Sequence, residues 1–335
     1  MLEDILREVS RAFYLSMRVL PCEVRPAISV GYLLARAADT LADDPSLSAE
    51  ERQANLQDWL RVLEGETTEE ERAVLWVRWR DLTLNNSGIT RGEARLLERL
   101  SEAYALFLSL DDFARVQVLQ VLRTLISGML LDLRSFPGYF SKIDELENYT
   151  YLVAGCVGEF WTNIMFHYLH FVPTSRLEDM RAWGVSFGQA LQYTNILRDL
   201  PKDLQNGRSY VPLDSLHAFI SKSEGNLKAH RQELVPFVER ALEHFEDAFK
   251  YIKGTPKRFV LLRLSTIWPV AIGLGTFLEM AKSDLWPSYK KRIKVSRSWV
   301  YTMMALSLVA VWSNSLLDFI WEIFRKKIRN ALEDR

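Results

Sequence analysis

Tyr32, Arg36, Asp39 and Asp43 are separated by four, three and four residues, which places all four on one face of an α-helix whose other positions, Leu33, Leu34, Ala37 and Leu41, are apolar. Two carboxylates so spaced repel each other unless something neutralises them, so this face does not belong in an ordinary core. Arg36 helps, and a divalent cation does more, because Mg2+ takes hard oxygen ligands, typically one or two carboxylates together with phosphates. Gln192, Asn195, Asp199 and Asp203 form a second stripe, spaced three, four and four, with Arg198 beside it. Pro201 lies inside this stripe and removes one helical hydrogen bond, which leaves two outcomes: a helix that continues, or a kink that turns Asp203 away.

The rest of the chain reads as helix. Leu2, Ile5, Val9 and Phe13 recur at helical spacing, as do many later apolar sets, while alternating apolar and polar runs are scarce. Ser48 with Glu51, and Thr90 with Glu93, have the spacing of a capping box, in which hydroxyl and carboxylate satisfy each other's free backbone donors. Breaks fall near Pro21, Pro45, Gly65, Pro137-Gly138, Pro173, Gly207 and Gly254-Thr255-Pro256, and none is long enough for a flexible linker. The expectation is an all-α fold in a single domain over 1–335.

Charge excludes some partners. With 42 basic against 43 acidic residues the net charge is −1, so no global field is available to hold nucleic acid, and phosphate binding has to come from local clusters. Cys22 and Cys156 are too few for a disulfide framework, and the N-terminus carries early acids without an apolar run. Both features fit the cytoplasm. Between Arg297 and Asp318 no charge occurs, so 298–330 is read as a terminal apolar helix, buried or, alternatively, in contact with a membrane as a peripheral protein. Oligomeric state is not legible.

If the two stripes face each other across a cavity, their carboxylates hold several Mg2+ ions around a diphosphate while the arginines meet its remaining oxygens. That arrangement is a leaving-group site.

At this point the chain resembles the squalene and phytoene synthase family. The matching pieces are Ser10-Arg11-Ala12-Phe13-Tyr14, the stretch Tyr32 to Asp44, Tyr149 to Gly158, and Gln192 to Asp203 continuing into Asn206-Gly207-Arg208-Ser209-Tyr210-Val211-Pro212. The resemblance implies an isoprenoid synthase helical bundle around a central apolar cavity, acting on prenyl diphosphates. It implies that Asp39, Asp43, Asp199 and Asp203 bind metal, and that Arg36, Arg198 and Arg208 bind diphosphate. Gln192 and Asn195 would orient substrate or metal-bound water, and Tyr32 belongs to the same substrate face. Tyr149 would steady a cation or move a proton, with Phe13, Val153, Val157, Leu191 and Tyr210 lining the cavity. Gly155 and Gly158 would admit a close approach of helices or prenyl chains.

Asp39-Thr40-Leu41-Ala42-Asp43-Asp44 is similar to the squalene branch, as is the basic segment holding Lys294 and Arg297, which implies contact with the phosphates of NADPH or of substrate. The function so implied is condensation of two farnesyl diphosphates through presqualene diphosphate to squalene. Two alternatives stay open: a phytoene, dehydrosqualene or presqualene diphosphate synthase that adds no hydride, and a non-catalytic assembly protein of the same fold, a kind that characteristically loses the aspartates. Prenyl chain length and the choice between NADPH and NADH are not legible.

Overall fold

The computed structural model describes residues 2–85, 89–170, 175–222, 225–284, 286–289 and 293–333, and their side chains except those of 2–3, 10–15 and 83–85. Phe13 therefore has a described backbone, in the first helix, and its side chain lies outside the described residues. The chain divides into two compact units, residues 1–134 with 163–170, and residues 135–162 with 171–335.

The first unit is helical throughout: α1 (Leu2–Arg18), α2 (Arg25–Ala42), α3 (Ala49–Glu64), α4 (Glu69–Asn85), α5 (Arg91–Glu98), α6 (Leu100–Leu108) and α7 (Asp112–Ser135, whose last residue passes into the second unit). Both expected capping boxes are present. Ser48 N–H donates to Glu51 Oε2 at 2.8 Å while Glu51 N–H donates to Ser48 Oγ at 3.2 Å, and Thr90 and Glu93 repeat the exchange at 2.8 and 3.4 Å. α3 stops at Gly65, whose φ of +75° suits the residue type that carries no Cβ. Trp59 and Trp79 are fully buried between α3 and α4 and meet edge to face with centroids 5.6 Å apart. Their indole N–H groups, which need acceptors once buried, donate to the Leu34 carbonyl and to Asn55 Oδ1. The Trp59 bond ties α3 to the middle of α2, just before the polar stripe.

The second unit opens with a two-residue strand β1 (Gly138–Tyr139), α8 (Ile143–Thr150), one π-helical turn (Tyr151–Gly155) and α9 (Cys156–Leu169, whose end belongs to the first unit). There follow α10 (Leu177–Gln205), β2 (Arg208–Ser209), α11 (Asp214–His217), two 3₁₀ turns, α12 (Val235–Gly254), α13 (Val260–Lys282), α14 (Arg297–Ala310) and α15 (Asn314–Glu333). α10 packs most extensively on α12, and β1 pairs with β2 in parallel, Gly138 opposite Arg208.

Two places depart from the sequence reading. α10 continues through Pro201 to Gln205, so Asp199 and Asp203 share one helix. The stretch 298–330 is two helices. Ser313 Oγ accepts from Leu316 N–H at 3.2 Å and caps the second of them, so the chain restarts instead of running on. α15 buries Leu317, Trp321, Phe324, Ile328 and Leu332, as expected of a terminal core helix, whereas α14 buries only Ser307 and Ala310.

Candidate active site

On α2 the stripe forms as its spacing requires. Arg36 stands at its centre, with Nη1 3.5 Å from Asp39 Oδ2 and Nη2 donating to Glu93, the capping residue of α5. One carboxylate thus ends a helix and holds the arginine of the site, a double use that its spacing from Thr90 does not reveal. Arg36 Nε is buried without an acceptor among the described residues, so the guanidinium retains capacity for one more oxygen. Tyr32 donates its hydroxyl to the Val9 carbonyl at 3.2 Å, and burial pushes its pKa up to about 12. Asp44, the doubled acid of the motif, turns back instead: its Oδ1 accepts from the backbone N–H and the hydroxyl of Ser46 at 2.9 and 2.6 Å.

The Asp39 carboxyl is pushed up to about 7 although 43% of its side chain remains accessible. Burial is the largest cause, opposed by Arg36 and reinforced by the charges of Asp43 and Glu93. An acid destabilised in its charged form by a like-charged neighbour is one that added positive charge relieves. Its oxygen donors suit a hard divalent ion. Among the described residues no group of three or more His, Cys, Asp or Glu gathers into a cage. Each pair therefore offers carboxylates of the number Mg2+ ordinarily takes, with the remaining ligands left to water or phosphate.

In the second unit, α10 carries Gln192, Asn195, Asp199 and Asp203 along one face, and Asn195 Nδ2 donates to Gln192 Oε1 at 3.4 Å. Arg198 forks onto its neighbour: Nε donates to Asp199 Oδ1 at 3.0 Å and Nη2 to Oδ2 at 2.6 Å. Arg208 on β2 follows the turn at Gly207, where φ is +80°, and its Nη1 lies 3.5 Å from the Tyr210 hydroxyl. Tyr210 stacks on Tyr149 with centroids 4.8 Å apart, and Phe140 meets both rings edge to face. The two tyrosines are buried, so the paired β strands bring Arg208 and Tyr210 to the end of α8. Val153, Val157 and Leu191 are half-buried. Lys294 and Arg297 are exposed, the second being the first residue of α14, and the terminus of a fourteen-residue helix beside two cations fits a phosphate group.

The glycines act between helices. A Cβ on Gly158 would stand 1.8 Å from the Gly184 carbonyl oxygen and one on Gly188 2.2 Å from that of Ala154, so α9 and the π turn touch α10 backbone to backbone. Gly155 faces only side chains, the nearest being Val185 Cγ1 at 3.1 Å.

Sequence reasoning missed a polar hub two residues before Tyr149. Glu147 Oε1 accepts from the Tyr193 hydroxyl at 2.8 Å and from Arg240 Nε at 2.7 Å, while Oε2 accepts from Gln189 Nε2 at 3.1 Å and lies 3.5 Å from His244 Nε2. Burial alone would raise this carboxyl, but the bonds from His244, Arg240 and Tyr193 outweigh it and hold Glu147 down to about 2. Its partners lie on α10 and α12, 42 to 97 residues away in sequence, so no local spacing signals them.

The family model described as Squalene/phytoene synthase matches residues 6–299. The chain is 31% identical over 308 residues to a presqualene diphosphate synthase of Zymomonas mobilis, covering 90% of each protein. It is 27% identical over 311 residues to a 15-cis-phytoene synthase of Synechocystis, covering 87% of this chain and 79% of that one. A solved structure of TcSQS with a bound ligand superposes with a TM-score of 0.74 at 21% identity, covering 99% of this chain and 96% of the other, a likeness of fold. The all-α fold is thus of the isoprenoid synthase type.

Proposed function

The chain belongs to the squalene/phytoene synthase family, and on that premise we propose that it joins two farnesyl diphosphates head to head through presqualene diphosphate and carries the product on to squalene. Asp39, Asp43, Asp199 and Asp203 would hold the divalent ions, which supply positive charge to the oxygens of the leaving diphosphate. Arg36, Arg198 and Arg208 bind those oxygens directly, Arg36 through the Nε that has no protein acceptor and Arg198 by exchanging its fork on Asp199 for phosphate, a geometry guanidinium matches equally well. Breaking the C1–O bond of the first molecule leaves an allylic cation. The double bond of the second attacks it, and loss of a proton closes the cyclopropane. Tyr149 faces this cation with its ring and offers a hydroxyl for the proton's path to diphosphate. For the second half, the remaining diphosphate leaves, the carbon skeleton rearranges, and hydride supplied by NADPH ends the reaction. Lys294 and Arg297 would hold the phosphates of that cofactor.

The observation that carries this reading is that both acid pairs survive with an arginine in contact, Arg36 at 3.5 Å from Asp39 and Arg198 at 2.6 Å from Asp199. A non-catalytic member of the fold has no use for either. The likeness to a 15-cis-phytoene synthase supports a second reading, condensation without reduction. Purified chain given farnesyl or geranylgeranyl diphosphate and Mg2+, with and without NADPH, separates the two. Squalene formed only with NADPH supports the full sequence, a product unaffected by NADPH assigns the non-reductive reaction, and no product from either substrate overturns both.

A further inference from the structure

α14 is a helix whose outer face lacks the charges that a water-facing helix ordinarily carries. From Ser298 to Leu317 no residue is charged, yet only Ser307 and Ala310 of α14 are buried. Its course is fixed by three contacts along α13. Trp299 packs over Gly275, Ser307 Oγ accepts from the Trp268 indole at 3.0 Å, and beyond the turn Asn314 Oδ1 accepts from Arg263 Nη2 at 2.7 Å. The partners on α13 descend as those on α14 and α15 ascend, so α14 runs antiparallel to α13 and its C-terminal corner reaches the beginning of α13. Arg263, fully buried, also donates to the Thr255 carbonyl at 2.8 Å and so clamps the α14–α15 corner to the α12–α13 corner.

The clamp gathers one surface. Leu308, Val309 and Trp312 are 57%, 66% and 57% exposed, Leu261 on the first turn of α13 is 50% exposed, and Lys257 and Arg258 stand exposed in the α12–α13 corner. The first acid after this apolar run, Asp318, is paired with Lys253, and Glu322, one turn on, with Arg325. The corner Val309–Asn314 also lies past residue 299, where the family match ends.

We propose that this double corner docks onto a bilayer containing anionic phospholipid, the apolar side chains entering the interface and Lys257 and Arg258 meeting the headgroups. An exposed tryptophan beside aliphatic residues with a cationic rim is the composition such an interface selects. A second copy of this chain fits less well, because a two-fold contact would set each copy's Lys257 and Arg258 against the same charges of the other.

The test is flotation of the full chain with vesicles of phosphatidylcholine alone and vesicles that also contain phosphatidylglycerol. Binding is expected to the second kind, weakening with salt. Lys257→Ala with Arg258→Ala lowers the partition about 25-fold, at about fivefold per charge. Val309→Ser with Trp312→Ser abolishes flotation with unchanged circular dichroism and melting, since both side chains are exposed. Wild-type chain that stays in the bottom fraction with anionic vesicles, or variants that float as well as wild type, overturns the proposal. So does a dimer seen by light scattering that the Trp312→Ser change dissociates in the absence of flotation, which assigns the face to a second copy.

Discussion

The indole N–H of Trp286 donates to the backbone carbonyl of Leu197 at 2.9 Å, and that carbonyl is the one Pro201, four residues on, has no N–H to serve. The proline therefore leaves no buried oxygen unsatisfied and the helix runs on. Trp286 is itself held. The guanidinium of buried Arg231 sits 5.6 Å from its ring and donates to the carbonyls of Ser283 at 2.7 Å, Trp286 at 3.3 Å and Ala281. A loop residue 89 positions away thus keeps Asp203 in register with Asp199.

Trp286→Phe leaves the Leu197 carbonyl buried and unpaired, which costs about 1–3 kcal/mol beyond the loss of ring volume. In a Pro201→Ala background the restored N–H takes over the carbonyl, so the same substitution costs less. Chemical denaturation of the four proteins of this cycle measures the coupling, and purely additive changes would show that the indole bond does not compensate the proline.

Asp39→Asn removes one of two repelling acids while Arg36 keeps Glu93. At pH 8 the melting temperature stays level or rises, whereas turnover of prenyl diphosphate falls by about 10²-fold or more, the scale of losing one electrostatic contact to a developing charge. A variant that melts lower and retains activity would make Asp39 a structural acid.

Glu147 contributes through its charge. With an ordinary carboxyl at 4.5 in the unfolded chain and about 2 in the folded one, it adds on the order of 3 kcal/mol, fully present above pH 4.5 and lost as pH falls from there towards 2. Glu147→Gln is expected to be less stable by that order at pH 7, with the two stability curves converging as pH drops below 4.5. A constant gap down to pH 3 would mean that shape, not charge, holds the hub together.

Gly158→Ala brings a methyl group onto the Gly184 carbonyl, a backbone atom that cannot swing aside, so the helices must separate at a cost of about 3 kcal/mol or more. Gly155→Ala meets only side chains at 3.1 Å or beyond and costs about 1 kcal/mol. Equal melting of the two variants would remove the backbone contact from the account.

Local signals were read correctly where the physics is local. The all-α fold, both capping boxes and both polar stripes follow from spacings of three and four residues, and all are found. What escaped depends on partners far along the chain. The kink foreseen at Pro201 is absent because Trp286 supplies the missing donor, and Glu93 looked like a helix cap alone until Arg36 arrived from 57 residues away. Charges such as Glu71, taken as solvated surface, turn out to cap: its carboxylate accepts from Thr68 N–H at 2.8 Å. The break at Ser313 was hidden by apolar composition, which records burial preference and not where a helix restarts.

The π turn at Tyr151–Gly155 adds one residue to a single revolution of the chain. A helical wheel drawn straight through it falls out of phase by about 100°, so Ile143–Thr150 and Cys156–Leu169 have to be plotted separately before their faces are compared. Deleting any one residue in between would rotate everything downstream into a different azimuth, which makes this short segment the place where a transplant of the motif into another helix is most exposed to failure.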